Sequence, residues 1–304
     1  MIIKKNKTLS LMIIICLCLM LFQLFFKLDT SNWKMIILQL RLPRLLFEIG
    51  IGYALGFSAL LFAATLRQPY LDGSMLGIAS GAELMIALVT VVIPQALTYR
   101  VVIGAFTGVC CLLILRSTIF KLRNHSLFLI IGGFCLAMFF NAFTEILTES
   151  SGWTGKSLAN VTWFDVGWLL IISLITIYIW ENNRSYLKYF ALSELQTRQL
   201  EINESKISFK FQVIAAALLG ATTVVLGTVF FAGVVINQLI REFTQLGQLK
   251  RLDLVILFSI LDVLFADTLA HFVFYPVELP TNAVLFVLLA PAFIFLIMRW
   301  SREI

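Results

Sequence analysis

The residues able to do chemistry in this 304-residue chain are few, and they stand where charge is expensive. Glu83, Asn141, Glu145, Asp262 and Asp267 interrupt long apolar runs. In hydrocarbon such groups either pair inside the protein or line a polar passage, where they can relay protons, coordinate ions or touch a solute. Arg41 and Arg44 bracket Pro43, and two permanently charged planar forks on one stiff turn suit carboxylate recognition better than lysines would. The two histidines, His125 and His271, are far apart, and no His/Glu spacing suggests a metal site or a catalytic triad. Gly152-Trp153-Thr154-Gly155-Lys156-Ser157 approaches a phosphate-binding loop, but Ser150 stands where its first glycine belongs and no strand precedes it. The five cysteines (Cys16, Cys18, Cys110, Cys111, Cys135) lie in apolar runs without a C-x-x-C pair, as small hydrophobes do. No catalytic, cofactor-binding or metal-binding residue is expected.

The elements that must position these residues follow from composition. Sixty per cent of the chain is apolar and 13% is charged, with a mean hydropathy of +0.96. A soluble domain carries about a quarter charged residues, so this chain cannot coat a water-facing core. Roughly ten spans of about 20 residues would use most of its length, which excludes a large soluble catalytic domain. Continuous apolar runs exclude the alternating pattern of a β-barrel. The expected fold is all-α: one polytopic membrane domain over 1–304 with about ten transmembrane helices.

The runs fall at 9–26, 45–66, 76–93, 100–116, 126–148, 165–180, 211–230, 231–246, 252–272 and 282–298. The first follows Lys4, Lys5 and Lys7 but lacks a small-residue cleavage site, so it reads as a span. The segment 231–246 carries Asn237, Gln238 and Arg241, and reads as a short or partly irregular helix buried against protein. With both termini cytoplasmic, all but six of the 23 Lys and Arg fall inside, as the positive-inside bias requires. The exceptions are Lys27, Lys34, Arg41, Arg44, Arg100 and Lys156, four of them between 27 and 44. The net charge of +6 is therefore a topology signal and not a nucleic-acid footprint. A cytoplasmic loop at about 181–210 contains Ala191-Leu192-Ser193-Glu194-Leu195-Gln196-Thr197-Arg198-Gln199-Leu200-Glu201-Ile202, which has no Pro or Gly and suits a short interfacial helix.

Several blocks stand in a telling order. Arg41-Leu42-Pro43-Arg44 precedes the small residues Gly50, Gly52, Ala54, Gly56 and Ser58. Arg67-Gln68-Pro69-Tyr70-Leu71-Asp72 leads into Leu76-Gly77-Ile78-Ala79-Ser80-Gly81-Ala82. Ala266-Asp267-Thr268-Leu269-Ala270, Glu278-Leu279-Pro280 and Ala290-Pro291-Ala292-Phe293 follow. Together, from Arg41 to Met298, they resemble the FecCD/BtuC-like permease subunits of ABC importers for iron–siderophore complexes, haem and cobalamin.

The resemblance implies a ten-helix subunit in the bacterial plasma membrane, paired with a second permease, identical or paralogous. Two cytoplasmic ATPase subunits would drive it, and an extracytoplasmic binding protein would deliver the cargo. Arg41, Arg44 and His271 would form the docking surface for that binding protein, the alternative for the arginines being anchors that snorkel to lipid headgroups. Leu192, Ser193, Glu194, Gln196, Arg198, Leu200 and Glu201 would seat in the ATPases as a coupling helix, the alternative being a solvated or membrane-surface helix. Asn141 and Glu145, on the fifth span, would face the translocation pathway, while Asp267 would fix helix packing.

The chain departs from the family pattern in three places. Asn237-Gln238 replaces a Pro-His pair, His271 replaces an arginine, and Ser193 and Glu201 replace loop glycines. These bear on cargo and partner more than on class, and the first favours a paralogous second permease. Iron–siderophore is the expected cargo as the commonest in the family. A secondary transporter using Glu83 and Asp262 is the rival reading, and a membrane-embedded enzyme the remoter one.

Overall fold

The computed structural model describes residues 5–26, 33–122, 126–151, 158–192, 194–199, 203–244, 247–273 and 278–300. Helix lies on each of the ten apolar runs, as it must where no water is present to satisfy backbone N–H and C=O groups. Helix α1 is Lys5–Phe25. A short α2, Trp33–Met35, passes through a π-helical stretch, Ile36–Arg41, into α3, Leu42–Thr65. The widening has a local cause: Pro43 lacks an N–H, and its ring crowds the carbonyl one turn back. Then come α4 Ile78–Val92, α5 Arg100–Leu122, α6 Ser126–Ser151 and α7 Trp163–Asn183. The series continues with α8 Glu194–Gln199, α9 Glu204–Leu226, α10 Ala232–Phe243, α11 Gln248–Phe272 and α12 Thr281–Trp300.

Among the described residues, length and composition mark six helical segments as able to cross a membrane: Trp33–Thr65, Pro94–Ser117, Ile131–Thr148, Trp163–Phe190, Glu204–Leu226 and Thr281–Arg299. Leu9–Phe25 and Ile78–Val92 are shorter apolar helices. The segment expected to be irregular does begin irregularly. Gly227 and Phe231 both take positive φ, 87° and 62°, which breaks the chain between α9 and α10. The resulting α10 has only 12 residues and buries Asn237 and Gln238. The expected loop at 181–210 is largely helical. α7 runs on to Asn183, a 3-10 helix covers Arg184–Ala191, and α9 starts at Glu204 because the Asn203 side chain caps its first turn through Lys206 N at 3.2 Å. The phosphate-loop-like 152–157 lies outside the described residues, as do Ser193, Leu200 and Glu201.

The helices α3 and α9 form the centre. In each, 78% of the apolar window is buried, against 17% in α6 and 22% in α12. Phe47, Phe57, Phe62 and Phe211 are the largest fully enclosed side chains, and all four sit on these two helices. Between membrane helices there is no hydrophobic drive beyond what lipid already offers, so close contact must come from small residues. Gly52 of α3 lies directly on the Ile260 backbone of α11, and Gly104 of α5 faces Gly220 of α9. A Cβ at any of the three glycines would overlap main-chain atoms. Part of the small-residue run in α3 is thus an internal seam.

Side-chain pairing sorts the bundle into two ends. At one lie Arg44, Asp267 and Thr281, with Arg100 beside Asp165 and Trp163 beside Leu38. At the other lie Arg67 with Glu204, Arg116 with Ser205, and Glu242 with Arg299. Helix α3 connects them over its 24 residues, about 36 Å at the standard helical rise.

Candidate functional site: the two ends of helix α3

At the Arg41 end, π-helix and proline turn two arginines in different directions. Arg41 reaches back over α1, where its Nη1 donates to the carbonyls of Gln23 (2.9 Å), Leu24 (3.0 Å) and Phe26 (2.8 Å). These are carbonyls of the C-terminal turn, which have no partner within the helix and carry the negative end of its dipole. Arg44 turns inward. Its Nε and Nη2 each donate to Asp267 at 2.9 Å, a two-point fork onto one carboxylate. Glu48, one turn along α3, stands 3.6 Å from Arg44, and Glu278 stands 3.4 Å away. Thr281 donates to Asp267 at 2.8 Å, tying α12 to the pair. Gln23 Nε2 donates to Glu48 at 3.0 Å and also meets Leu264 O and Thr268 Oγ1. His271 Nδ1 lies 2.7 Å from Glu278.

The three residues expected to dock a partner, Arg41, Arg44 and His271, therefore do come together around one cleft of about 290 Å³, with Glu48, Asp267 and Glu278 in the same wall. Three carboxyl groups face two guanidiniums and an imidazole, so acidic and basic groups are matched in number around the cleft. The Arg44 side chain is only 14% exposed. The fork expected to reach outward grips Asp267 instead, while Glu278 and His271 form the more accessible lip. Asp267 holds helices together, as its place in the Ala-Asp-x-x-Ala block suggested.

Other basic residues on this end are also engaged. Arg100 bonds Asp165 through two nitrogens at 2.8 and 2.6 Å and donates to Asn160 O. Asp165 is at the same time the third residue of a capping box with Thr162, which starts α7. Lys34 lies 5.5 Å from the Trp33 ring. Among the described cations of this end, Arg44 and Arg100 are thus balanced by carboxylates of other helices, while Arg41 is held by backbone carbonyls.

At the opposite end, Arg67 takes φ = 54°, in the left-handed region. The hydrogen bonds around it, Arg67 N to Ala64 O at 3.2 Å and Gln68 N to Ala63 O at 3.1 Å, are those of a Schellman stop. Glycine is the usual residue there, because a Cβ costs about 1–2 kcal/mol in that conformation. From this position Arg67 Nη1 donates to Leu192 O at 2.8 Å and Nε donates to Glu204 at 3.1 Å. Glu204 also accepts from Thr197 of α8 at 3.2 Å. Gln238 of α10 donates to Pro69 O, two residues beyond Arg67. Arg116 of α5 holds the first turn of α9 through Ser205, at 3.0 and 3.1 Å, and lies over Phe209.

Of the residues expected to couple to a cytoplasmic partner, Gln196 is exposed on α8. Glu194 and Arg198 also lie on α8, which is shorter than the 191–202 stretch expected. Leu192 is extended chain just ahead of it, and its carbonyl is a ligand of Arg67. The sequence marked Arg67 only as the head of the block running to Asp72, with no role of its own, and gave none to Glu204 or Thr197. Arg67 carried a signal nonetheless, being the first charge after the apolar run of α3. Glu204 and Thr197 carried none.

Asn141 and Glu145 lie one turn apart on α6, half-exposed and exposed on a helix that packs mainly on α4. Glu83, by contrast, is buried, and its Oε2 accepts from Thr228 N at 3.0 Å, fastening the broken connection between α9 and α10.

Residues 8–299 match the model of the FecCD transport family. Among curated proteins, the chain is 27% identical over 283 residues to the "probable heme-iron transport system permease protein IsdF" of Staphylococcus aureus strain Newman, covering 92% of this chain and 88% of that one. The corresponding protein of strain MSSA476 is 27% identical over 280 residues, covering 91% and 87%. Among solved structures, the one titled "An inward-facing conformation of a putative metal-chelate type ABC transporter" superposes with a TM-score of 0.79 at 19% identity, over 97% of this chain and 99% of that one.

Proposed function

The chain belongs to the FecCD transport family, and from that premise we propose that it is the permease subunit of a binding-protein-dependent ABC importer in the bacterial plasma membrane. It would work as a single permease unit with ten crossings and both termini in the cytoplasm. It makes and breaks no bonds; ATP is hydrolysed on two partner subunits. A second permease, paralogous or identical, completes the pathway, and an extracytoplasmic binding protein supplies the cargo.

One observation carries this reading. The cluster of Arg41, Arg44 and His271 and the short helix α8 lie at opposite ends of α3. A subunit that receives cargo at one membrane face and force at the other needs that separation. Basic residues concentrate at the α8 end, which the positive-inside bias assigns to the cytoplasm. The start of α1 and the end of α12 point to that same end, because Gln23 near the end of α1 bonds Thr268 and Thr281 at the start of α12 bonds Asp267; this supports cytoplasmic termini.

At the outer end, the binding protein docks on the lip formed by Arg41, His271 and Glu278, with Arg44 setting the lip through Asp267 and Glu278. At the inner end, α8 and its flanks, from Leu192 and Ser193 through Glu194, Gln196 and Arg198 to Leu200 and Glu201, seat in the ATPases. Asn141 and Glu145 face the pathway. A carboxylate on an outward helix face is costly against lipid, so that face of α6 is better served by water or by the second permease.

The cargo is an iron complex held by an organic chelator. The family favours an iron–siderophore; the named relatives favour haem as the second reading. The test is uptake into proteoliposomes holding the permease with its ATPases and binding protein, offered radiolabelled iron as haem or as a ferric hydroxamate. Uptake should require ATP and survive collapse of the proton gradient. Uptake that follows the gradient without ATP would mean a secondary transporter instead.

A further inference from the structure

We propose that Arg67 is a positioning residue that fastens the coupling helix α8 to the membrane core, so that movement of α8 is passed to α3 and α9 through its guanidinium. The inference rests on the importer reading above and adds a residue that reading does not contain.

The first support is the contradiction between backbone and side chain at this position. Residue 67 ends α3 in a Schellman stop at φ = 54°, where glycine would fit without strain. An arginine is present instead. Ending α3 gives no reason for a long side chain. The contacts of the guanidinium do, for it spans three separate segments: the end of α3 that carries it, the Leu192 carbonyl ahead of α8, and Glu204 at the start of α9. Glu204 then takes the Thr197 hydroxyl of α8 on its other oxygen. The chain ahead of α8 and the body of α8 are thereby tied to one cation, the second through Glu204.

The second support is what lies behind that cation. α9 is pressed backbone to backbone on α5 at Gly104 and Gly220, and Arg116 of α5 grips its first turn as well. Such a pair moves as one body, because close-packed interfaces shift between discrete arrangements and do not stretch. Its far end is the break at Gly227–Phe231, which Glu83 of α4 fastens at Thr228. Beyond the break, α10 returns to the Arg67 turn, where Gln238 bonds Pro69 O. A push on α8 thus enters α3, α9 and α10 at a single turn of three residues, 67–69.

Two variants separate this role from a structural one. Arg67→Gly removes the guanidinium while suiting the backbone, and Glu204→Gln leaves Arg67 in place while removing its ionic partner. In the assembled importer in proteoliposomes, cargo taken up per ATP hydrolysed should fall about tenfold in Arg67→Gly, within the ordinary range of coupling free energies, and fall less in Glu204→Gln. The melting temperature of the Arg67→Gly permease should stay at the wild-type value. Wild-type coupling in both variants overturns the proposal, and so does a loss of coupling accompanied by a drop in melting temperature. If the wild-type complex itself moves no haem or ferric hydroxamate with ATP, the importer reading fails, whatever the variants do.

Discussion

The two ends of α3 each hold an arginine over an acidic residue from a distant helix, yet they are built differently. Arg44 is 14% exposed and faces three carboxyl groups, with a two-point grip on one of them. Arg67 is 26% exposed, stands on a strained backbone, and grips one carboxylate and one carbonyl. The first arrangement has no slack, since moving Arg44 would leave buried acids uncompensated. The second is more open to water and joins separate segments, so it can turn with them while keeping its grip. In a protein that must hold a docking face still while its other face follows a motor, that is the useful distribution of stiffness.

The comparison can be broken most directly at its stiff end. Arg44→Ala should destabilise the permease by about 3–5 kcal/mol, the usual cost of removing one member of a buried ion pair. Thermal unfolding in detergent measures it. A loss below about 1 kcal/mol would mean the pair behaves as an exposed one, and the two ends would then not differ. Arg41→Ala comes next. Its three carbonyl contacts lie partly in solvent, so about 1–2 kcal/mol is expected, at the low end for hydrogen bonds to a charged group. Proteolysis near the end of α1 should rise with it. Glu278→Gln should cost no more than about 1 kcal/mol, because that carboxylate is a third exposed and its Arg44 contact is long. If Glu278→Gln proved as damaging as Arg44→Ala, the lip would belong to the stiff core, and docking there would have to be rethought.

How far the sequence disclosed this arrangement depended on distance along the chain. The ten runs were readable because each needs only local composition, and a short α10 was readable from Asn237, Gln238 and Arg241, but the break at Gly227–Phe231 falls where the two runs abut without a loop. The gathering of Arg41, Arg44 and His271 was anticipated through the resemblance, but their partners were not. Asp267 and Glu278 lie more than two hundred residues from Arg44, and nothing in their local spacing says which cation they meet. The start of α9 was placed at 211 because Glu204, Lys206 and Lys210 are polar; the Asn203 cap lets the helix begin outside the apolar run. Arg67 was hidden for a different reason. A left-handed stop is usually announced by glycine, and here the backbone adopts it under an arginine.

That last point gives the smallest expected effect and the sharpest distinction. Arg67→Gly relieves the Cβ conflict, worth about 1–2 kcal/mol. It also loses a partly buried ion pair, worth about 1 kcal/mol, and it loosens the unfolded chain by about 0.5–1 kcal/mol. These contributions oppose one another, so stability should change by less than about 1 kcal/mol. Arg67→Ala loses the same ion pair but keeps the conflict, and should fall below the glycine variant by about 1 kcal/mol. Unfolding the two side by side isolates the backbone strain, because the missing contacts are identical in both. An alanine variant as stable as the glycine variant would mean that residue 67 is not strained at all. The arginine would then need no explanation beyond its fit at a helix end, and the inner end of α3 would be an ordinary surface ion pair.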